Sequence, residues 1–202
     1  MKNREIQLFA KLISILLHPL LMPLYVLVLI YTTHIGFSYT PPLVKWYCYL
    51  ISFVMLLILP LLTLPILWRF RLIRNLSLED RQDRVWMLLV IIILAFLGFW
   101  LLRLLAYTEM AQRLYLILVI QLSLVLMITL KWKISLHMIG IGSLCGVLLI
   151  LEYFGFAQGW LMVSFILAGL LASCRLYLKK HSPWQVYIGF LLGMGVVSIF
   201  LH

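Results

Sequence analysis

Seven stretches of the chain are apolar over close to the length a helix needs to cross a bilayer. They run at about 8–32, 43–68, 85–107, 112–130, 135–153, 158–178 and 183–201. A hydrocarbon core takes roughly 20 helical residues. Lipid offers backbone groups no hydrogen-bonding partner, and the alternation of a barrel strand is absent, so each stretch is expected to be helical. Of the 202 residues 65% are hydrophobic and 11% charged, which is more apolar surface than a water-soluble domain of this size can bury. The chain is therefore expected to be an all-α integral membrane protein. It should form a single polytopic domain over residues 1–202, a bundle of about seven transmembrane helices. Pro19 and Pro23 interrupt the first stretch, where a broken or re-entrant helix is the alternative.

The basic segment Met1 to Lys11 leads into that stretch without a small-residue cleavage site, so it is read as retained. Cys48, Cys145 and Cys174 lie in or beside apolar stretches without metal-ligand spacing and are read as packing residues. Seven spans put every Lys and Arg on one side except Lys45, Arg103 and Arg113. The positive-inside rule then makes the richer side cytoplasmic, in what is expected to be a bacterial inner membrane. The net charge of +10 suits anionic lipid or a phosphate substrate. Its scatter over short loops argues against nucleic acid.

Three polar clusters share the basic side. Residues 69–84 hold half of the six acidic residues. Ser77 is read there as a helix cap and Asp80 as part of that helix's first turn. The two carboxylates Asp80 and Asp83 lack the second acidic cluster that a magnesium-bound diphosphate would need. The second cluster, Lys131 to His137, precedes Gly140, Gly142 and Gly146. Ser135 there is placed to cap a helix, whose N-terminus is an anion site, while Gly142 and Gly146 have the spacing of a close helix contact. The third runs from Cys174 to Gln185. In it Ser182, Pro183 and Gln185 match the N-cap, first and third positions of a helix. Arg175 and His181 have no comparable structural duty. A guanidinium can clamp phosphate oxygens and an imidazole can attack phosphorus.

In this order the clusters resemble the signatures K-x6-R-P, P-S-G-H and S-R-x5-H-x3-D of the type 2 phosphatidic acid phosphatase superfamily. They read Arg74-x6-Arg81-Gln82, Ile134-Ser135-Leu136-His137 and Cys174-Arg175-x5-His181-x3-Gln185, followed by Val186, Gly189 and Gly193. The resemblance implies a lipid-phosphatase-like core without metal or cofactor, acting on a lipid phosphate or an isoprenoid diphosphate. By the same resemblance His181 would form a phosphohistidine and His137 would protonate the leaving oxygen. Arg74, Arg81, Ser135 and Arg175 would hold phosphoryl oxygens. Gln185 stands where the family has Asp, Arg74 where it has Lys, and Ile134 and Leu136 where it has Pro and Gly. Those departures leave a second expectation, a catalytically silent relative that binds anionic lipid or scaffolds a membrane complex. A small transporter or flippase is the third. It would use His18, which sits within the first apolar stretch beside Pro19 and outside every motif.

Overall fold

The computed structural model describes residues 2–32, 40–76, 78, 80–156 and 159–201. Ser77, read above as a helix cap, lies outside them. Among the described residues the regular structure is helical: α1 Lys2–Leu16, α2 Met22–Thr32, α3 Pro42–Phe53, α4 Leu59–Arg69, α5 Arg81–Arg103, α6 Glu109–Thr129, α7 Leu136–Tyr153, α8 Trp160–Tyr177 and α9 Pro183–Phe200. A π-helical turn at Val54–Ile58 joins α3 to α4, making one 28-residue helix, Pro42–Arg69. The wide turn falls just before Pro60, which has no amide proton and whose ring crowds the preceding turn.

Pro42–Arg69 and α5 to α9 are each long and apolar enough to span a membrane. The protein is thus a multi-pass integral membrane protein. Large side chains such as Met127, Ile166 and Ile199 are well exposed, as they can be against lipid. The first apolar stretch is not one helix. α1 ends at Leu16, two residues before the His18-Pro19 pair, and α2 has only 11 residues. At 1.5 Å per residue α2 reaches about 16 Å, short of a crossing. The residue before a proline avoids helical backbone, which explains where α1 stops.

The described chain falls into two compact units, Met1–Val26 with Ile134–His202, and Leu27–Lys133. In the first, α7 and α9 meet through interleaved glycines. A Cβ on Gly146 would come within 2.8 Å of the Met194 carbonyl oxygen, and one on Gly189 within 2.9 Å of the Ser135 oxygen. Cβ atoms on Gly142 and Gly193 would collide with the Phe190 and Ile139 carbonyls. Each helix offers two glycines at i, i+4 to the other's backbone, the small-residue contact that replaces hydrophobic driving force in lipid. The core of this unit gathers Met22, Met138, Ile141, Cys145, Ala168, Leu171 and Val186.

In the second unit, α5 and α6 form a hairpin. The turn is held by Thr108, whose hydroxyl donates to the Leu102 carbonyl at 2.7 Å. Gly98 gives room to the Tyr115 ring, and the Tyr115 hydroxyl donates to Ser52 Oγ at 3.0 Å. Cys48, Cys145 and Cys174 are buried free thiols, consistent with packing residues.

Candidate functional site

The first unit concentrates its polar groups where α7 begins, α8 ends and α9 begins. α8 ends in a tight reversal. Lys179 takes a left-handed conformation (φ 52°), and the Lys180 amide donates back to the Arg175 carbonyl at 3.2 Å. This is a Schellman-type stop with Lys where glycine is usual. It turns the chain within six residues, so Arg175 in the last turn of α8 and His181 before α9 belong to one corner. Both are buried, Arg175 at 9% and His181 at 8% exposure.

Gln185 does two jobs with one oxygen. As the third residue of α9 it reaches back in a capping box, its Oε1 accepting the Ser182 amide at 3.2 Å. The same Oε1 lies 3.0 Å from His181 Nδ1. The Ser182 N–H can only donate, so the side-chain atom facing it is the amide oxygen. His181 Nδ1 must then donate to that oxygen, which leaves the ring's lone pair on Nε2. The Gln185 carbonyl in turn accepts the Ser135 amide at 3.3 Å, joining the start of α9 to the start of α7.

Ser135 takes the N-cap position of α7, but its side chain makes no capping bond. Its hydroxyl is fully buried and has no partner among the described residues. Arg175 Nε is in the same condition. Buried polar atoms are seldom left so, because each forfeits about 1–3 kcal/mol of solvation. Three described side-chain atoms are in this state, Ser135 Oγ, Arg175 Nε and, in the last turn of α9, Ser198 Oγ; the first two belong to the helix ends that make the corner.

His137, in the first turn of α7, has Nε2 3.1 Å from the Ser14 carbonyl oxygen of α1. A carbonyl only accepts, so the Nε2 proton is fixed and Nδ1 is the nitrogen whose proton can come and go. The His137 ring meets His18 edge to face, with centroids 5.3 Å apart. Arg175 acts electrostatically on both His18 and His137, and His181 acts on His137. His18 and His137 are thus in ring contact, with Arg175 within electrostatic reach of both and His181 of His137.

His18 is the residue that motif reasoning left out. It lies in the turn between α1 and α2 rather than inside a helix. Its ring accepts the Leu20 amide on Nδ1 at 3.3 Å. The available signal was a histidine directly before a proline in an otherwise apolar stretch.

Arg74 and Arg81 belong to the second unit and are exposed. The loop around them is organised by Asp83, which is buried at 1% exposure. Its carboxylate accepts the Arg74 amide at 3.1 Å and the Asn75 amide at 3.2 Å. Arg81 Nη1 donates to the Lys131 carbonyl at 3.0 Å, and Arg84 Nε to the Leu78 carbonyl at 2.8 Å. Asp80 is the N-cap of α5, one position before the first turn expected for it. No group of three or more His, Cys, Asp or Glu among the described residues is arranged to hold a metal ion. Comparison of the chain with protein-family models, with curated proteins and with solved structures gives no match.

Proposed function

We propose that the corner formed by α7, α8 and α9 is a phosphoryl-transfer site, and that the protein is a membrane phosphatase acting on a lipid phosphate or an isoprenoid diphosphate. The reading is carried by one observation: Gln185 Oε1, fixed by the Ser182 amide, holds His181 as the Nδ1–H tautomer. In that form Nε2 carries the electron pair needed to attack phosphorus. A neutral amide thereby supplies the orientation that the resembling family takes from a carboxylate. It does not supply the negative charge that would support the imidazole as it becomes cationic.

In the proposed reaction, Nε2 of His181 forms an N–P bond as the P–O ester bond breaks. The leaving oxygen takes a proton from Nδ1 of His137, whose Nε2–H stays on the Ser14 carbonyl. Water then attacks the phosphohistidine and returns a proton to Nδ1 as the His181 nitrogen departs. Arg175 and the Ser135 hydroxyl are the donors to the phosphoryl oxygens, as their unpartnered polar atoms support. The reading places the site on the cytoplasmic face of a bacterial inner membrane, in line with the weight of Lys and Arg on that side.

The test is inorganic phosphate release by purified wild type, His181→Ala and Gln185→Asp on a panel of lipid phosphates and isoprenoid diphosphates. Release should disappear in His181→Ala, and Gln185→Asp should raise it by tenfold or more by adding the missing charge. Release unchanged in His181→Ala would overturn the nucleophile. Binding of lipid phosphate that depends on Arg175, with no turnover in any variant, would favour the second reading, a silent anionic-lipid receptor. The neutrality of Gln185 is what recommends that alternative.

A further inference from the structure

We propose that His18 is a phosphate ligand of this same site: a neutral, pre-oriented N–H donor supplied by the turn between α1 and α2. The inference rests on the reading of the corner as a phosphate site but not on turnover there. The Leu20 amide points at His18 Nδ1 from 3.3 Å and can only donate. Nδ1 must keep its lone pair, so the ring proton resides on Nε2. His18 is therefore a donor without a charge, within electrostatic reach of Arg175, which carries one.

Three contacts within the unit hold the turn. The Ser14 carbonyl, four residues before His18, receives His137 Nε2 at 3.1 Å. The Tyr25 hydroxyl donates to the Leu16 carbonyl at 3.0 Å, tying the start of α2 to the end of α1. On α7, Gly140 leaves room for the turn: a Cβ there would lie 2.8 Å from Met22 Cγ and 3.5 Å from Pro19 Cα. The His18 ring ends edge to face with His137, within electrostatic reach of Arg175. A histidine that merely filled space would need none of this support, and an imidazolium would lose the Leu20 hydrogen bond. Phosphate oxygens suit such a donor because an uncharged N–H adds a hydrogen bond without further crowding Arg175 with positive charge.

The experiment uses full-length protein in detergent with ¹⁵N-labelled histidine. Inorganic phosphate and a short-chain phosphatidic acid are titrated separately, by NMR and by calorimetry. The His18 ring should show a protonated Nε2 and an unprotonated Nδ1 before any ligand is added, and Nε2 should shift when ligand binds. His18→Ala should weaken binding about 10- to 100-fold, and His18→Gln, which retains an N–H donor, should recover part of the loss. Response to the lipid alone would assign the donor to a lipid headgroup; response to both would assign it to the phosphate itself. A proton on Nδ1, or His18→Ala binding within twofold of wild type, would overturn the proposal. The NMR arm stands even if His18→Ala does not fold. Binding that depends on His18 in a protein that never releases phosphate would support the ligand role and sink the phosphatase. Absence of binding to either ligand would sink both.

Discussion

Two polar regions of this protein look alike in sequence and differ in how their groups are satisfied. The loop between α4 and α5 is the most charge-dense part of the chain, and three charged side chains at its end hold backbone groups. Asp83 takes two loop amides, Arg81 holds the Lys131 carbonyl, and Arg84 holds the Leu78 carbonyl. The corner of α7, α8 and α9 has fewer charges but buries a serine hydroxyl and an arginine Nε without partners. Charge density therefore marks structure in the one place, and unmet hydrogen-bonding capacity marks a candidate site in the other.

The contrast can be broken by mutation, beginning with the frame of the corner. Gly193→Val should cost about 3 kcal/mol, the upper end for overpacking, because the obstruction is the Ile139 backbone rather than a side chain that can move. Gly195→Ala, where a Cβ meets nothing within 4 Å, should instead be neutral or gain up to ~1 kcal/mol. Unfolding in detergent would measure both, and similar outcomes for the pair would refute the glycine contact. Next in size, Asp83→Ala strands two loop amides and should cost about 2 kcal/mol while leaving phosphate release unchanged. Ser135→Ala reverses that pattern. Its hydroxyl bonds nothing in the resting protein, so stability should hold within ~0.5 kcal/mol while phosphate release falls about tenfold. If Ser135→Ala destabilises as much as Asp83→Ala, the two regions do not differ as described.

Much of the architecture was readable from composition. Apolar stretches of near-bilayer length give Pro42–Arg69 and the five helices after it, because in lipid a long apolar segment has almost no alternative to helix. Pro19 and Pro23 flagged the break in the first stretch. The π turn was not legible, since Val54–Ile58 is as apolar as its neighbours and only Pro60 hints at a disturbance. The paired glycines at 142/146 and 189/193 are visible as a spacing, but their interleaving is a matter of tertiary packing.

In the candidate site, Arg175, His181 and Gln185 were readable because they lie around a single helix end, where spacing in sequence is spacing in space. Gln185 is legible in sequence as the third residue of a capping box; that the same Oε1 also lies 3.0 Å from His181 Nδ1 is seen only in the fold. The ring contact of His18 with His137 was not legible, because it joins distant parts of the chain. The role of Asp83 was hidden for a different reason: its partners are backbone amides, which carry no residue identity.

The hydrogen bond from His137 to Ser14 spans 123 residues. In sequence, all of Leu27–Lys133 comes between the two segments of the unit that holds the candidate site. During synthesis α1 and its turn emerge first and must wait, unclosed, while Pro42–Arg69, α5 and α6 enter the bilayer. Only after α7, α8 and α9 follow can the histidines and Arg175 come together. The corner is thus assembled late and across a long loop, whose closure entropy the nascent chain meets once the intervening spans are in place. A chain stalled before α9 would lack both Gln185, the partner of His181, and the helix whose glycines pack on α7.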